Sequence, residues 1–95
     1  MASKSIISND KKCIVCDSTY SLHKHHIFEG TANRSKSEKD GCWCYLCSRH
    51  HNGSNAGVHY NKVFETDLKQ RTQRLWEQKY GTRGDFIKRY GRSYL

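Results

Sequence analysis

The sequence predicts a small α+β domain in which two short strands precede a long helix and a shorter one, with a metal site stabilising the fold. Three observations predict this class: two segments alternate like strands, one long segment has apolar residues at helical spacing, and the chain carries 5 cysteines and 6 histidines. A chain of 95 residues with 35% hydrophobic side chains buries too little apolar surface to be stable by burial alone. A metal or a disulfide framework is therefore expected to add stability.

The two strands are predicted after a polar start. Residues 1–12 are polar and basic without periodicity, which predicts a flexible leader before a single domain over residues 13–95. Side chains over Tyr20–Phe28 alternate as they do in a strand. The Gly, Asn, Asp and Ser content of residues 29–41 predicts a connecting loop. The aromatic segment Cys42–Cys47 then predicts the second strand of an antiparallel pair.

Two helices are predicted in the C-terminal half. Residues 48–57 have the composition of a turn. Apolar side chains then recur every three or four residues over Tyr60–Tyr80, which predicts a long helix that stops at Gly81. A shorter helix is expected from Thr82, whose hydroxyl can cap it, to Gly91.

The charge balance favours a polyanionic partner. Lys and Arg number 17 against 9 Asp and Glu, and the net charge of +8 favours nucleic acid over an unspecialised basic surface. The chain has no apolar run of the roughly 18 residues that a membrane span needs, and its N-terminus lacks the apolar core of a signal peptide. We therefore expect a soluble, cytoplasmic protein without a membrane partner. Cytosolic thiols stay reduced, which favours metal ligands over disulfides.

The cysteines predict a structural zinc site. Cys13 and Cys16 form a C-x-x-C pair, and a tetrahedral zinc needs two further ligands. Either Cys44 with Cys47, or Cys47 with His50, can supply them. The second completion is favoured, because Cys44 falls inside the predicted strand, where cysteine is typically a small buried apolar group. A redox role for the first pair is disfavoured, since no βαβ pattern surrounds it.

Further histidines indicate a chemical site. His25 and His26 are adjacent at the end of the first predicted strand, so their side chains point to opposite faces and are expected to do different jobs. One can hold a divalent cation while the other takes a proton from water, and phosphodiester hydrolysis needs both roles. His51 and His59 are candidates for further imidazole ligands. The alternative is that these histidines make surface hydrogen bonds or extend the zinc site.

Three segments together carry a family resemblance. The runs CIVCDSTYSLHKHHIFEGTANR, GCWCYLCSRHHNGSNAGVHYNK and DFIKRYGRSYL resemble phage-encoded HNH, or ββα-metal, endonucleases, and specifically the Ref-type recombination-enhancement, RecA-dependent nucleases. The likeness extends from Cys13 to Leu95. It implies a small ββα-metal (HNH) fold with a structural zinc knuckle, divalent-metal-dependent DNA cleavage, and the cytoplasm of a bacterial host as the location.

The resemblance assigns roles to individual histidines. His25 matches a metal ligand that is often Asp in other HNH enzymes, and His26 matches the general base. Cys47 and His50 match the second zinc pair. His51 matches the metal-binding histidine that follows this pair. His59, in the G-V-H that follows, resembles a further family signature, which implies a metal ligand that replaces His51 or joins it.

The sequence departs from the family at the middle residue of the HNH name. The usual place of this asparagine holds Cys42 or Trp43. Asn33 and Asn52 are the candidates to orient the base in its stead.

The resemblance and the charge together predict a metal-dependent DNA endonuclease of phage recombination or DNA processing. Its expected cofactors are structural Zn²⁺ and a catalytic Mg²⁺, Mn²⁺ or other divalent cation. The alternatives are a non-catalytic zinc-finger-like nucleic-acid-binding module and an adaptor that recognises a recombinase filament. Phosphate contacts are expected mainly from loop cations, because such contacts supply most nucleic-acid affinity. These cations are Arg34, Lys36, Lys39 and Arg49. For the helix cations Lys69, Arg71 and Arg74, DNA contact and an ordinary solvated face are equally favoured.

Overall fold

Six elements follow one another in the computed structural model, which describes residues 4–52 and 61–95. In chain order they are β1 (Leu22–His26), α1 (Thr31–Asp40), β2 (Trp43–Cys47), α2 (Ser48–Asn52), α3 (Lys62–Lys79) and α4 (Arg83–Tyr90). Within the two described ranges, none of the helices combines the length and the apolar character that crossing a bilayer requires. The α+β class predicted from the sequence is confirmed.

The two strands form an antiparallel hairpin, as the sequence predicts. Their register pairs His25 with Cys44 and His26 with Trp43. Successive residues of a strand point to opposite faces, so the hairpin presents His25 and His26 on different sides. The buried face of β2 carries Cys44 and Leu46, both fully buried.

The prediction of a loop over residues 29–41 is wrong for most of these residues, because Thr31–Asp40 form helix α1. Gly30 precedes the helix, and Gly41 ends it in the left-handed conformation at φ 77°, with its N–H donated to the Ser37 carbonyl. Apart from Ala32, the residues of the helix are polar, so no apolar periodicity marks it, and the described side chains that it buries are those of Ser37 and Asp40. The helix is held by polar contacts instead, such as the bond from Ser37 Oγ to the Phe28 carbonyl at 3.2 Å.

The predicted turn over residues 48–57 is also partly wrong. Its first five residues form α2, which begins directly after β2. Residues 53–57 lie outside the described ranges. The short helix has no apolar stripe of its own, and its position at the end of β2 places two adjacent histidines, His50 and His51, beside the hairpin.

The two C-terminal helices match their prediction closely. Helix α3 begins after Asn61, whose side chain accepts a hydrogen bond from the Phe64 N–H at 3.0 Å. Helix α4 begins after Thr82, which forms a capping box with Asp85. Gly91 ends α4 in the left-handed conformation.

Aromatic side chains from the hairpin end and the last two helices build the core. The Phe28 ring lies 5.0 Å from Phe86 and 4.6 Å from Tyr90, measured between ring centroids. Trp76 of α3 packs edge-on against Phe86 at 5.3 Å. Leu68 completes the contact of α3 with this cluster. Burying these large rings is the main apolar contribution of a small chain.

One carboxylate joins three helices within this core. Asp40, the last residue of α1, accepts hydrogen bonds from Trp76 Nε1 at 2.9 Å and from the Tyr90 hydroxyl at 2.7 Å. Arg89 contacts both carboxylate oxygens, at 2.5 and 2.8 Å. The Tyr80 hydroxyl donates to the Asp40 carbonyl at 2.7 Å. Asp40 therefore ties α1 to α3 and α4.

Part of the segment expected to be a flexible leader lies against the hairpin. Ser5 is buried, and its hydroxyl donates to the Trp43 carbonyl at 2.5 Å. The Ile6 N–H donates to the Gly41 carbonyl at 2.9 Å. Gly41 is needed here, because a Cβ at this position would clash with the Lys4 carbonyl. Ile6 and Ile7 pack against the core, a contact that the polar composition of the segment does not indicate.

Candidate metal centre and imidazole cluster

Four side chains converge in a cluster that could hold a metal such as zinc. They are Cys13, Cys16, Cys47 and His50, and their ligand atoms all lie within 4.8 Å of one another. The Sγ atoms of Cys16 and Cys47 are 3.7 Å apart, and His50 Nδ1 lies 3.2 Å from Cys47 Sγ and 3.6 Å from Cys13 Sγ. Around a tetrahedral zinc, two sulfurs lie about 3.8 Å apart, and a sulfur and a nitrogen about 3.6 Å. The donor set therefore fits zinc in both chemistry and spacing.

A tight turn presents the first two ligands. The Asp17 N–H donates to the Cys13 carbonyl at 2.9 Å, and the Cys13 N–H donates to the Ser18 carbonyl at 2.9 Å. Asp17 adopts φ 60°, a left-handed conformation that Asp tolerates better than most residues. The Ile14 N–H donates to the Tyr45 carbonyl at 3.1 Å, which fixes the turn to β2.

The other two ligands come from the junction of β2 and α2. Cys47 is the last residue of the strand, and His50 lies three residues later in the helix. The residues that complete the cluster are therefore those favoured from the sequence. Cys44, the alternative, lies fully buried in the core, where burial raises the pKa of its thiol to about 12. It is an apolar packing residue.

The Cys13 thiol is prepared to bind a cation. Burial raises the pKa of Cys13, but backbone N–H groups of Cys47, Cys16 and Val15 outweigh this effect and lower it to about 6. The thiolate is the form of cysteine that binds metals. The lowered pKa thus favours the thiolate, the form in which Cys13 would bind a metal.

Three histidines form a second group, which we call the imidazole cluster: His23 and His25 of β1 and His51 of α2. The Nδ1 atoms of His23 and His51 are 3.0 Å apart. The His51 ring packs edge-on against both partners, with centroids 4.9 Å from His23 and 5.4 Å from His25. His25 is buried, with 4% of its surface exposed. His51 directly follows His50, a member of the Cys13, Cys16, Cys47 and His50 cluster. Helix α2 therefore contributes one residue to each cluster.

The imidazole cluster contains two of the predicted cation ligands, His25 and His51. His59, the third, lies outside the described residues. His23 joins them, although the sequence analysis gave it no role. Its signal was the spacing of two residues from His25, which places both side chains on one face of a strand.

His26, the predicted general base, lies on the other face of β1. Its Nε2 is 3.6 Å from Glu38 Oε2, and Glu38 also pairs with Lys24 at 2.7 Å. Burial lowers the pKa of the His26 imidazole, and the Glu38 carboxylate opposes this effect. A neutral imidazole at pH 7 is able to accept a proton. Within the described residues, the chain thus brings His26 to Glu38 and not into the imidazole cluster.

Asn33 and Asn52 are the asparagines that the resemblance leaves as candidates to orient the base. Asn33 donates its amide to the Tyr90 carbonyl at 3.1 Å, at the junction of α1 and α4. The side chain of Asn52 lies outside the described part of the chain. Cys42 is fully buried, and burial raises the pKa of its thiol to about 12. Trp43 is buried, with the Lys24 ammonium 4.2 Å above its ring.

The predicted phosphate-binding cations differ in the exposure and the contacts of their side chains. Arg34, Lys39 and Arg49 have exposed side chains. The Lys36 ammonium instead donates to the Arg89 carbonyl at 2.6 Å near the end of α4. On α3, Lys69 pairs with Glu65 at 2.7 Å, whereas Arg71 and Arg74 are exposed.

Comparisons with known proteins assign no family. No protein-family model, curated protein or solved structure matches this chain. The function is therefore argued from the two clusters and the charge of the chain.

Proposed function

We propose that the protein is a divalent-metal-dependent DNA endonuclease. In this proposal β1, β2 and α2 form the ββα-metal unit, zinc at the Cys13, Cys16, Cys47 and His50 cluster stabilises the fold, and the imidazole cluster binds the catalytic cation. The observation that carries the proposal is the contact between His25 of the hairpin and His51 of α2. These two residues are 26 positions apart, and they are the two ligands of the catalytic cation that the resemblance implies within the described chain.

The spacing of His23 and His51 suits two ligands of one cation. Two nitrogens about 2.1 Å from one ion lie roughly 3.0 to 3.4 Å apart. The Nδ1 atoms of His23 and His51 are 3.0 Å apart. Imidazole is a suitable ligand for Zn²⁺ and several other divalent ions, and a cation bound there supplies positive charge to a scissile phosphate and acidifies water.

The role of general base is proposed for His26. Its lowered pKa favours the neutral form at pH 7, and Glu38 gives its Nε2 an acidic neighbour at 3.6 Å. His23 is the second candidate, since it lies directly against His51. The two histidines are on opposite faces of β1, so single substitutions distinguish them.

Plasmid nicking with added Mg²⁺ or Mn²⁺ tests the proposal. Loss of a residue that only supports a metal ligand costs about 10- to 100-fold in affinity or activity, so His51→Ala, which removes a ligand itself, is expected to reduce nicking by at least roughly 100-fold. His26→Ala is expected to reduce nicking by about 10²- to 10⁴-fold, as loss of a general base does, with DNA binding retained. If His23→Ala has that effect instead, the base is His23.

Zinc content and Tm of each variant serve as controls for folding. Nicking by His51→Ala at the wild-type rate would contradict the role of the imidazole cluster. DNA binding by the wild type without nicking under any divalent cation would instead favour the non-catalytic zinc-binding module, which the cysteine-rich cluster and the net charge of +8 also suit. Binding only to a recombinase-coated strand would favour the adaptor.

A further inference from the structure

Two neighbouring cavities lie between the N-terminal segment and α3, and we treat them as one groove. One of its cavities, of about 520 Å³, is lined by Ser5, Ile6 and Lys79, among others. The next, of about 190 Å³, is lined by Ile7 and Arg71, among others. Neighbouring residues line the two cavities on both sides. In the N-terminal segment, Ile6 lines the first cavity and Ile7 the second; in α3, Leu75 of the first cavity lies one helical turn after Arg71 of the second. We call this feature the α3 groove.

The α3 groove is basic along its length. Lys79 lines one cavity, and Arg71 and Lys12 line the other. Asp17 is the acidic residue at these two cavities, and it lies 3.6 Å from the Lys12 ammonium with both side chains well exposed. Among the described residues, Arg71 has no carboxylate partner within ion-pair distance. Its guanidinium is therefore available to an external anion.

The zinc-binding turn forms one end of the α3 groove. Cys13 and Ile14 contribute to the smaller cavity. Cys13 belongs to the same cluster as His50, which directly precedes the cation ligand His51. A strand lying in the groove would thus reach the turn that carries Cys13 and Cys16.

We propose that the α3 groove binds the phosphodiester backbone of a nucleic acid, with Arg71 and Lys79 contacting separate phosphates. A linear polyanion binds better to cations that are spaced along a groove than to cations that are clustered at one point. The apolar side chains of Ile6, Ile7 and Leu75 give the groove a floor for sugar carbons. The proposed function is needed only for the further claim that this nucleic acid is DNA.

Fluorescence anisotropy with a labelled DNA duplex at several salt concentrations tests this binding surface. The double variant Arg71→Ala/Lys79→Ala is expected to bind about tenfold more weakly near 0.1 M salt. Its slope of log affinity against log salt is expected to fall by roughly 1.8, since each lost phosphate contact removes about 0.9. The control pair is Lys88→Ala with Arg83→Ala, which removes two exposed cations of α4 that line neither cavity.

The control is expected to change affinity by less than about twofold. Equal weakening by both double variants would show a general charge effect and overturn the proposal, as would unchanged binding by Arg71→Ala/Lys79→Ala. Competition by polyglutamate at the same charge concentration as DNA would also overturn it, because the groove would then recognise acidic protein. The substituted side chains are exposed, so Tm and zinc content should match the wild type.

Plasmid nicking separates this proposal from the proposed function. A wild type that binds DNA through Arg71 and Lys79 but never nicks it would support the α3 groove and contradict the endonuclease. Nicking that is lost with His51→Ala, together with DNA binding that is insensitive to Arg71→Ala/Lys79→Ala, would support the endonuclease and overturn the groove.

Discussion

Cys16→Ser is expected to abolish cooperative folding of this protein at 25 °C. Cys16 supplies one of the four ligand atoms that lie within 4.8 Å of one another. Zinc sites of this type contribute about 10 to 16 kcal/mol of apparent binding free energy at pH 7, and that energy is available only to the folded chain. A domain of this size has about 5 kcal/mol of net stability in total, so loss of the site exceeds it.

The site also connects the turn at Cys13 and Cys16 to β2 and α2. Among the described residues, this turn is otherwise held by the backbone hydrogen bond from Ile14 to Tyr45 and by packing of Cys13 and Ile14 in the core. Without metal, the thiols and His50 retain only weak mutual contacts. Removing the zinc with a chelator is therefore expected to have the same result as the substitution.

Circular dichroism during heating, with zinc measured by mass spectrometry, checks this prediction. The matched control is Cys44→Ala, because Cys44 is a buried cysteine outside the cluster. It is expected to cost only about 1 to 2 kcal/mol, as small buried truncations do. Serine is avoided at this position, since it would bury a hydroxyl in the core. Equal collapse of both variants, or a Cys16→Ser protein that keeps its zinc and its Tm, would contradict the assignment of ligands.

Asp40→Asn is expected to lower the free energy of unfolding by about 2 to 3 kcal/mol, because it weakens charge-assisted hydrogen bonds to a pair whose Arg89 side chain is partly exposed. The Asp40 carboxylate accepts hydrogen bonds from four donor groups on Trp76, Arg89 and Tyr90. An asparagine has the same shape, but its NH₂ group would face a donor and leave the Arg89 charge without a counterion. Burial, more than any other cause, raises the pKa of the Tyr90 hydroxyl far above its usual range, so that hydroxyl stays a donor.

Urea unfolding of the zinc-loaded protein measures this effect. Asp67→Asn is the matched control, because Asp67 is exposed on α3 and the same change there is expected to cost less than about 0.5 kcal/mol. If the free energy of unfolding of Asp40→Asn lies within about 0.5 kcal/mol of the wild-type value, the negative charge of Asp40 contributes nothing beyond a neutral hydrogen-bond acceptor.

Features with a local signal were predictable from the sequence. The C-x-x-C pair followed by Cys47 and His50 has ligand spacing that few other sites require, and the structure brings those four residues together. The apolar period of α3 and the caps of α4 are equally local, because they depend on residues three or four positions apart.

Features that depend on distant residues were not predictable. Helix α1 has no apolar stripe, and contacts such as those of Ser37 with Phe28 and of Asp40 with Trp76 stabilise it. The burial of Ser5 likewise depends on a hydrogen bond to Trp43, 38 positions away. The approach of His23 to His51 needs both the hairpin and α2, so strand alternation alone places His23 only on the correct face.

Binding of Mn²⁺ to the zinc-loaded protein, followed by electron paramagnetic resonance, tests most directly whether the imidazole cluster is a cation site. The signal of free aqueous Mn²⁺ is lost when the ion binds, so a titration counts bound ions without any cleavage assay. We predict one Mn²⁺ bound per chain in the wild type, and loss of that binding in His51→Ala while zinc stays in place. Wild-type protein that binds neither Mn²⁺ nor Ni²⁺, an ion that imidazole ligands favour, or a His51→Ala variant that binds Mn²⁺ as well as the wild type, would contradict the account.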